Sequence, residues 1–319
     1  MRHRLYELQN EMLNAGLLVE NIEHGGLTRC KITSDKGGQK SGWYRIFDDS
    51  DLMICIYGDW RTGIRHVWTS SDNPRSPEQR LNMDRLIKRA KLEEEQARQS
   101  QWAINRINLK SLWHSGSELR ESNSAGKYLS NRGLQIPNSG VLKFHPSLNY
   151  WNDGEFVGEF PAMLAAVTTP QGDLATVHRT FLNDDGHKAP VPIPKKLAPA
   201  AGSLSGASIK IGTPTARQDG TLTLGIAEGV ETALAASTLF GVPVWSAVSA
   251  SNLKSFSPPV SVKNIYIFAD NDLNQVGQKA SQELGERLTY EGHVVRIHTP
   301  EQAGKDWADI LVAKGTSHV

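Results

Sequence analysis

Three groups of acidic residues near the C-terminal end have the types and spacing to do chemistry. Glu228 closes the run Leu222-Thr223-Leu224-Gly225-Ile226-Ala227, and Asp270 and Asp272 close Ile265-Tyr266-Ile267-Phe268-Ala269. Asp306 and Asp309 stand in Gly304-Lys305-Asp306-Trp307-Ala308-Asp309. An apolar run ending in a carboxylate is the pattern of a buried parallel strand that delivers a side chain to the carboxyl edge of its sheet. Open α/β sheets bind ligands at that edge. Carboxylates gathered there repel one another unless a divalent cation compensates them. Hard oxygen donors suit Mg²⁺, with Mn²⁺ the alternative, and such a site supports phosphoryl transfer. Taken singly, Glu228, Asp270 and Asp272 also fit helix N-caps and turns. Three groups in order, each after a β-like run and separated by helix-length segments, make that coincidence a poor explanation of the whole.

Spacing assigns roles within the set. Asp270 and Asp272 alternate on an extended backbone, so they point the same way and can share a cation, while Asn271 points elsewhere and fixes the turn. Asp306 and Asp309 share a face if Asp306 opens a helix. Glu231, three residues beyond Glu228, falls in a first helical turn and reads as a helix-dipole partner. Gly229 leaves room for close approach. Lys305 either neutralises phosphate or balances the acidic cluster.

The Glu-Gly, Asp-x-Asp and Gly-Lys-Asp series resembles the Toprim domain of bacterial-type primases, topoisomerases and some nucleases. Upstream, Tyr128-Leu129-Ser130-Asn131-Arg132-Gly133-Leu134, Leu142-Lys143-Phe144-His145-Pro146, Phe160-Pro161-Ala162-Met163 and Val177-His178-Arg179-Thr180-Phe181-Leu182 are similar to the primases of plasmids, integrative elements and satellite phages. The resemblance covers about residues 115 to 312. It implies a DNA primase that makes short RNA primers on a single-stranded DNA template from nucleoside triphosphates. Glu228, Asp270 and Asp272 would be catalytic, with the metal held among them and Asp306 and Asp309. Family members place two acidic residues closer together at the last position, so Asp309 matches less well than Asp306. The resemblance also suggests that Arg132, His178, Arg179, Lys188 and Lys305 face nucleic acid or nucleotide. The plainer alternatives are a helix-end cation for Arg132 and a surface ion pair with Asp184 for Arg179. A metal-dependent nuclease and a non-catalytic replication or single-strand-binding module are the competing functions.

The elements expected to position these residues fall into segments. Residues 1–69 read as a small N-terminal module, a helix followed by strands. In it Gly42–Phe47 and Leu52–Tyr57 form a hairpin around Asp48-Asp49-Ser50-Asp51. Its interleaved aromatic and basic residues suit either a core or a surface for nucleic acid or a partner, with Trp60 and Arg61 the binding candidates. Residues 70–110 read as a linker and a charged connecting helix. Residues 111–215 read as a basic α+β domain. Here Ser124–Leu129 is a short helix, stopped by Gly133, and Phe160–Val167 pairs with Leu174–Thr180 in a hairpin. Lys188, Lys195 and Lys196 project from a proline-rich extended stretch without regular structure. Residues 216–319 read as the Toprim domain. The fold class is therefore α/β, a Toprim-type, largely parallel sheet flanked by helices, preceded by an α+β basic domain and a small β-containing N-terminal module.

Composition narrows the classes. A 39% hydrophobic, 22% charged chain of 319 residues is ordinary for a globular protein. No apolar stretch reaches spanning length and no secretory core follows Met1-Arg2-His3-Arg4, so no membrane association and a cytoplasmic location are expected. The net charge of +1 carries no global nucleic-acid signature, so binding must rest on local cations. Two cysteines, Cys30 and Cys55, supply neither a disulfide framework nor a four-cysteine zinc site. No zinc site is expected, unlike cellular primases, which begin with a zinc-binding domain. With no Gly-x-x-x-x-Gly-Lys-Ser/Thr loop, a replicative helicase is expected as a separate partner.

Overall fold

The computed structural model describes residues 2–35, 40–49, 52–60, 64–70, 77–273 and 275–316. The turn residues Ser50 and Asp51, the binding candidate Arg61 and the linker residues 71–76 lie outside them. The chain divides into two compact units, residues 1–101 with 151–157, and residues 102–150 with 158–319.

The first unit holds α1 (Arg2–Asn14) and an antiparallel five-stranded sheet in sequential order, β1 (Leu17–Leu18), β2 (Thr28–Ile32), β3 (Gly42–Asp49), β4 (Leu52–Asp59) and β5 (Arg65–Thr69). Period-two alternation buries both faces of the hairpin β3–β4. Tyr44, Ile46, Met53, Cys55 and Tyr57 pack with Leu8 and Met12 of α1. Trp43, Phe47, Ile54 and Ile56 pack with Ala90, in the early part of α2 (Pro77–Ser115). Trp43, Tyr44, Phe47 and Tyr57 thus belong to the core of this module. Trp60 carries the Arg29 guanidinium 3.8 Å above its ring. Cys30 and Cys55 are buried free thiols, and burial pushes Cys30 up to about 12.

The second unit begins with the rest of α2, followed by β6 (Ser117–Glu118), α3 (Ser124–Ser130), β7 (Leu142–Asn152) and β8 (Glu155–Thr168) apart from their tip at 151–157, which counts with the first unit, then β9 (Leu174–Phe181) and β10 (Lys195–Leu197). These strands form an antiparallel sheet in the order β10-β9-β8-β7-β6. Asn123 caps α3, accepting from the Gly126 amide at 3.0 Å, and Gly133 ends that turn at φ +66°. β10 departs from the irregular lysine stretch expected from sequence. The outer edge of β9 carries unpaired backbone groups, and the 194–198 segment satisfies them. Phe181 N–H donates to Pro194 O, and Ala198 N–H donates to Val177 O. Lys195 and Lys196 therefore sit in strand register opposite Thr180 and Arg179.

The remaining elements are β11 (Thr215–Ala216), β12 (Leu222–Ala227), α4 (Val230–Phe240), β13 (Val244–Ser246), α5 (Ala250–Lys254), β14 (Val262–Phe268), α6 (Val276–Tyr290), β15 (Val294–His298) and α7 (Trp307–Thr316). β12 pairs in parallel with β13 and β14, and β14 with β15, while β11 pairs antiparallel with β12. Ala280, Leu284 and Leu288 of α6 cover one face through Leu224, Ile226, Ile265 and Ile267. On the other face α4 and α7 share one core with Tyr128 and Leu129 of α3 and with Met163, Ala165 and Val167 of β8. Residues 111–215 and 216–319, distinct on reading the sequence, are thus packed around a common interior. No helix among the described residues is long and apolar enough to cross a membrane.

Candidate active site at the carboxyl edge of the parallel sheet

β12 ends at Ala227 and hands the chain to Glu228, with Gly229 as N-cap of α4. Gly229 sits at φ −90°, and a Cβ there would meet nothing closer than 3.6 Å. No internal crowding therefore requires glycine at this position; its missing side chain keeps the wall of the cleft low. β14 ends at Phe268 and, after Ala269, delivers Asp270, Asn271 and Asp272. The third acidic group does not follow its strand directly. It arrives after a seven-residue connection from β15, and Asn271 ties it down. The Asn271 amide donates to Lys305 O at 3.1 Å, its carbonyl accepts from Gly304 N–H at 2.6 Å, and its side chain donates to Pro300 O at 2.8 Å.

Glu228, Asp270, Asp272 and Asp306 line one cleft of about 270 Å³, facing Arg132, His178, Lys188 and Lys195. Gly229, Val230, Glu231, Thr232 and Val248 complete its wall. Carboxylates from the parallel sheet and cations from the antiparallel half are thus placed opposite one another. Asp270 and Asp272 point into the same space, as alternation requires.

Asp306 and Asp309 divide their roles. The Asp309 amide donates to Asp306 Oδ1 at 2.8 Å, and the Asp306 amide approaches Asp309 Oδ2 at 3.4 Å. This reciprocal pair caps α7, a capping box made of two aspartates. Asp309 lies outside the cleft lining, with Lys305 Nζ 3.9 Å from its carboxylate. Lys305 is likewise absent from the lining. Asp306 remains in the cleft, where Arg132 Nη2 approaches it at 3.5 Å.

His178 and Arg179, adjacent on β9, project to opposite faces. His178 lines the cleft and is 9% exposed; burial, with Lys195 and Arg179 nearby, pushes its imidazole down to about 4, against the pull of Glu231. Arg179 does not reach the cleft. Its guanidinium donates to Leu197 O at 2.9 Å, 5.7 Å from the Phe181 ring centre. The guanidinium thus meets a backbone carbonyl rather than the Asp184 side chain.

Electrostatics mark the acidic wall. Burial, reinforced by Asp306, Asp272 and Glu228, pushes Asp270 up to about 7 despite two bonds from Thr232 Oγ1 at 3.0 and 3.1 Å. Burial and Asp272 also raise Glu228, against a hydrogen bond from the Ala250 amide and the charge of Lys195. Burial, Lys195 and Arg132 lower Lys188 on the opposite wall, against the pull of Glu231 and Asp306. Val248 holds φ +63°, a left-handed conformation rare for a β-branched residue, with its amide donating to Ser246 Oγ at 3.3 Å.

The donor set fits a hard divalent cation. Asp270 sits among three other carboxylates, and a cation is the group that would restore its ionised form. Among the described residues no three acidic, histidine or cysteine side chains converge as a closed ligand set. Mg²⁺ does not require one, since it keeps several waters and takes one or two carboxylates with substrate oxygens.

Sequence reasoning missed the parts that Glu231, Tyr128 and Thr232 play in the site. Glu231 is 4% exposed, and it accepts from Tyr128 Oη at 2.6 Å and from Lys195 Nζ at 2.7 Å. Thr232 orients Asp270. The available signal was the apolar environment of α4, Val230 to Ala236, in which a glutamate at the second position needs a buried partner.

Residues 223–317 match the Toprim domain family, and residues 104–210 match a domain of unknown function, DUF7146. A search of curated proteins returns no match. Among solved structures, the fold is similar to a DNA primase domain from Pseudomonas aeruginosa at 14% identity, over 66% of this chain and 75% of that one, with a TM-score of 0.44. It is also similar to the Aquifex aeolicus primase zinc-binding and RNA polymerase domains at 14% identity, over 99% and 83%, with a TM-score of 0.45. A third likeness is to a DnaG primase catalytic domain bound to single-stranded DNA, at 14% identity, over 70% and 78%, with a TM-score of 0.46. The carboxylate-bearing half of the second unit is a Toprim domain.

Proposed function

We propose that this protein is a Toprim primase that synthesises short RNA primers on single-stranded DNA. The observation that carries the reading is the cleft in which Glu228, Asp270, Asp272 and Asp306 face Arg132, Lys188 and Lys195. A polyanionic substrate accompanied by a divalent cation matches both walls at once. A scaffold has no use for four carboxylates held against their mutual repulsion.

One or two of Asp270, Asp272 and Asp306 would hold Mg²⁺, or Mn²⁺ in its place, with water and substrate oxygens filling its shell and Thr232 orienting Asp270. Bound there, the cation supplies compensation for charge on the attacking and leaving oxygens. Glu228, whose carboxyl is raised by burial, is suited to take the proton of the primer 3′-hydroxyl as its oxygen bonds the α-phosphorus and pyrophosphate leaves. Arg132, Lys188 and Lys195 hold the phosphates of nucleotide and template. His178, held neutral, offers a hydrogen bond without adding charge. Asp309 and Lys305 support this arrangement by closing α7. The similarity of the upstream motifs to primases of plasmids, integrative elements and satellite phages supports a part in replication of a mobile genetic element, alongside a separate helicase.

Incubation with single-stranded DNA, labelled ribonucleotides and Mg²⁺ tests the reading. New short RNA is expected. Shortened template identifies a nuclease, and binding without either product identifies a scaffold; both results overturn the proposal. Glu228→Gln refines it: this variant is expected to lose synthesis while retaining Mg²⁺ and DNA binding. Loss of metal binding would move Glu228 from proton transfer to ligation.

A further inference from the structure

The most deeply buried charge in the cleft is the one whose role the reaction above leaves open. Glu231 lies in the first turn of α4 at 4% exposure, beneath Tyr128 of α3, itself 3% exposed. One carboxylate oxygen accepts from Tyr128 Oη at 2.6 Å, and the other accepts from Lys195 Nζ of β10 at 2.7 Å. The Lys195 side chain keeps 37% of its surface exposed, so its charged end is anchored inside while the cleft still reaches it. An ammonium has three donors, and Glu231 engages one of them. Burial raises the Glu231 carboxyl, but the Lys195 charge and the hydrogen bonds from Lys195 and Tyr128 outweigh it and hold the group at about 2. The carboxylate therefore stays ionised.

A buried ion pair is a poor device for stability alone, because desolvation offsets most of the attraction and apolar replacements often serve as well. What such a pair does well is fix a flexible chain. A lysine has a long stem whose rotamer freedom must otherwise be lost on binding a ligand. Here three elements, α3, α4 and β10, converge to remove that freedom beforehand. We propose that Glu231 and Tyr128 are positioning residues that hold the Lys195 ammonium ready for the phosphate chain of an incoming nucleoside triphosphate. The assignment of that ligand rests on the primase reading above. Tyr128 acts through Glu231 and touches no substrate.

A double-mutant cycle on the full-length protein separates positioning from bracing. The affinities for Mg·ATP and for inorganic tripolyphosphate are measured by calorimetry in wild type, Tyr128→Phe, Lys195→Ala and the double variant, with the KM for ATP and kcat alongside. Tyr128→Phe keeps the ring that fills the core and removes only the hydroxyl. It is expected to weaken both ligands about fivefold, the effect of one net hydrogen bond, raising KM more than it lowers kcat. In the Lys195→Ala background the same change is expected to have no further effect on affinity, because nothing remains to position. Independent, multiplying effects overturn the inference, as does a Tyr128→Phe variant that melts earlier yet binds both ligands as wild type does. Glu231→Gln, which keeps volume and one acceptor, is expected to reproduce the Tyr128→Phe affinities; wild-type affinity in it also overturns the proposal. If wild type primes and Lys195→Ala binds and primes normally, this inference fails while the primase reading stands. If wild type makes no RNA yet the cycle shows coupling, the positioning network stands and the primase reading fails.

Discussion

Asp270 is a residue whose neighbourhood disfavours its own charge. Burial and three adjacent carboxylates hold it at about 7, well above the ordinary carboxylate value near ~4. Because the folded value is raised, the contribution of this group to stability is full below about pH 4 and is lost as pH rises through about 7. In the presence of a chelator, the melting temperature of wild type is therefore expected to carry a fall across that window which Asp270→Asn lacks. Identical profiles would show that Asp270 is not under this strain. Arg179 makes the opposite kind of prediction. Since its guanidinium donates to Leu197 O and lies near Phe181, Arg179→Ala is expected to lower stability by about 1–2 kcal/mol, as loss of a partly buried side chain does. The salt dependence of DNA binding is expected to stay unchanged. A flatter salt slope at normal stability would return Arg179 to the phosphate-binding set.

At the scale of elements, α7 shows how two aspartates three residues apart come to differ. Asp306 is both cap and cleft residue, whereas Asp309 supplies the other half of the capping box. Asp309→Asn is expected to cost about 0.5–1 kcal/mol in thermal or urea unfolding and to keep primer synthesis. Asp306→Asn is expected to keep most of the cap, since an amide oxygen can still accept, and to lose synthesis at limiting Mg²⁺. Equal loss of activity in both variants would place Asp309 with the ligands. The strands and helices behind this site were legible because their signals are local: apolar runs that end in Glu228 and Asp270, the β8–β9 hairpin turn, and the glycine after α3. The direction of a side chain on a short edge element was not. His178 and Arg179 read as a basic pair until strand alternation separates them, and β10 exists because β9 leaves an edge to be paired. The Tyr128–Glu231–Lys195 network joins residues up to 103 positions apart, a separation across which no periodicity speaks.

For the whole molecule, the near-neutral net charge of +1 conceals a cleft with one acidic and one basic wall. The Toprim sheet supplies the first and the antiparallel half supplies the second, and a shared core holds them together. That juxtaposition, rather than any single residue, is what the functional reading depends on. The measurement that tests it most directly is RNA primer yield on a single-stranded DNA template across a Mg²⁺ titration, for wild type and Asp270→Asn. The expected result is metal-dependent primer from wild type, abolished by chelation, and none from Asp270→Asn at any Mg²⁺ concentration while its fold and DNA affinity persist. Equal primer yield from the two proteins across the titration would contradict the assignment of this cleft as the catalytic centre.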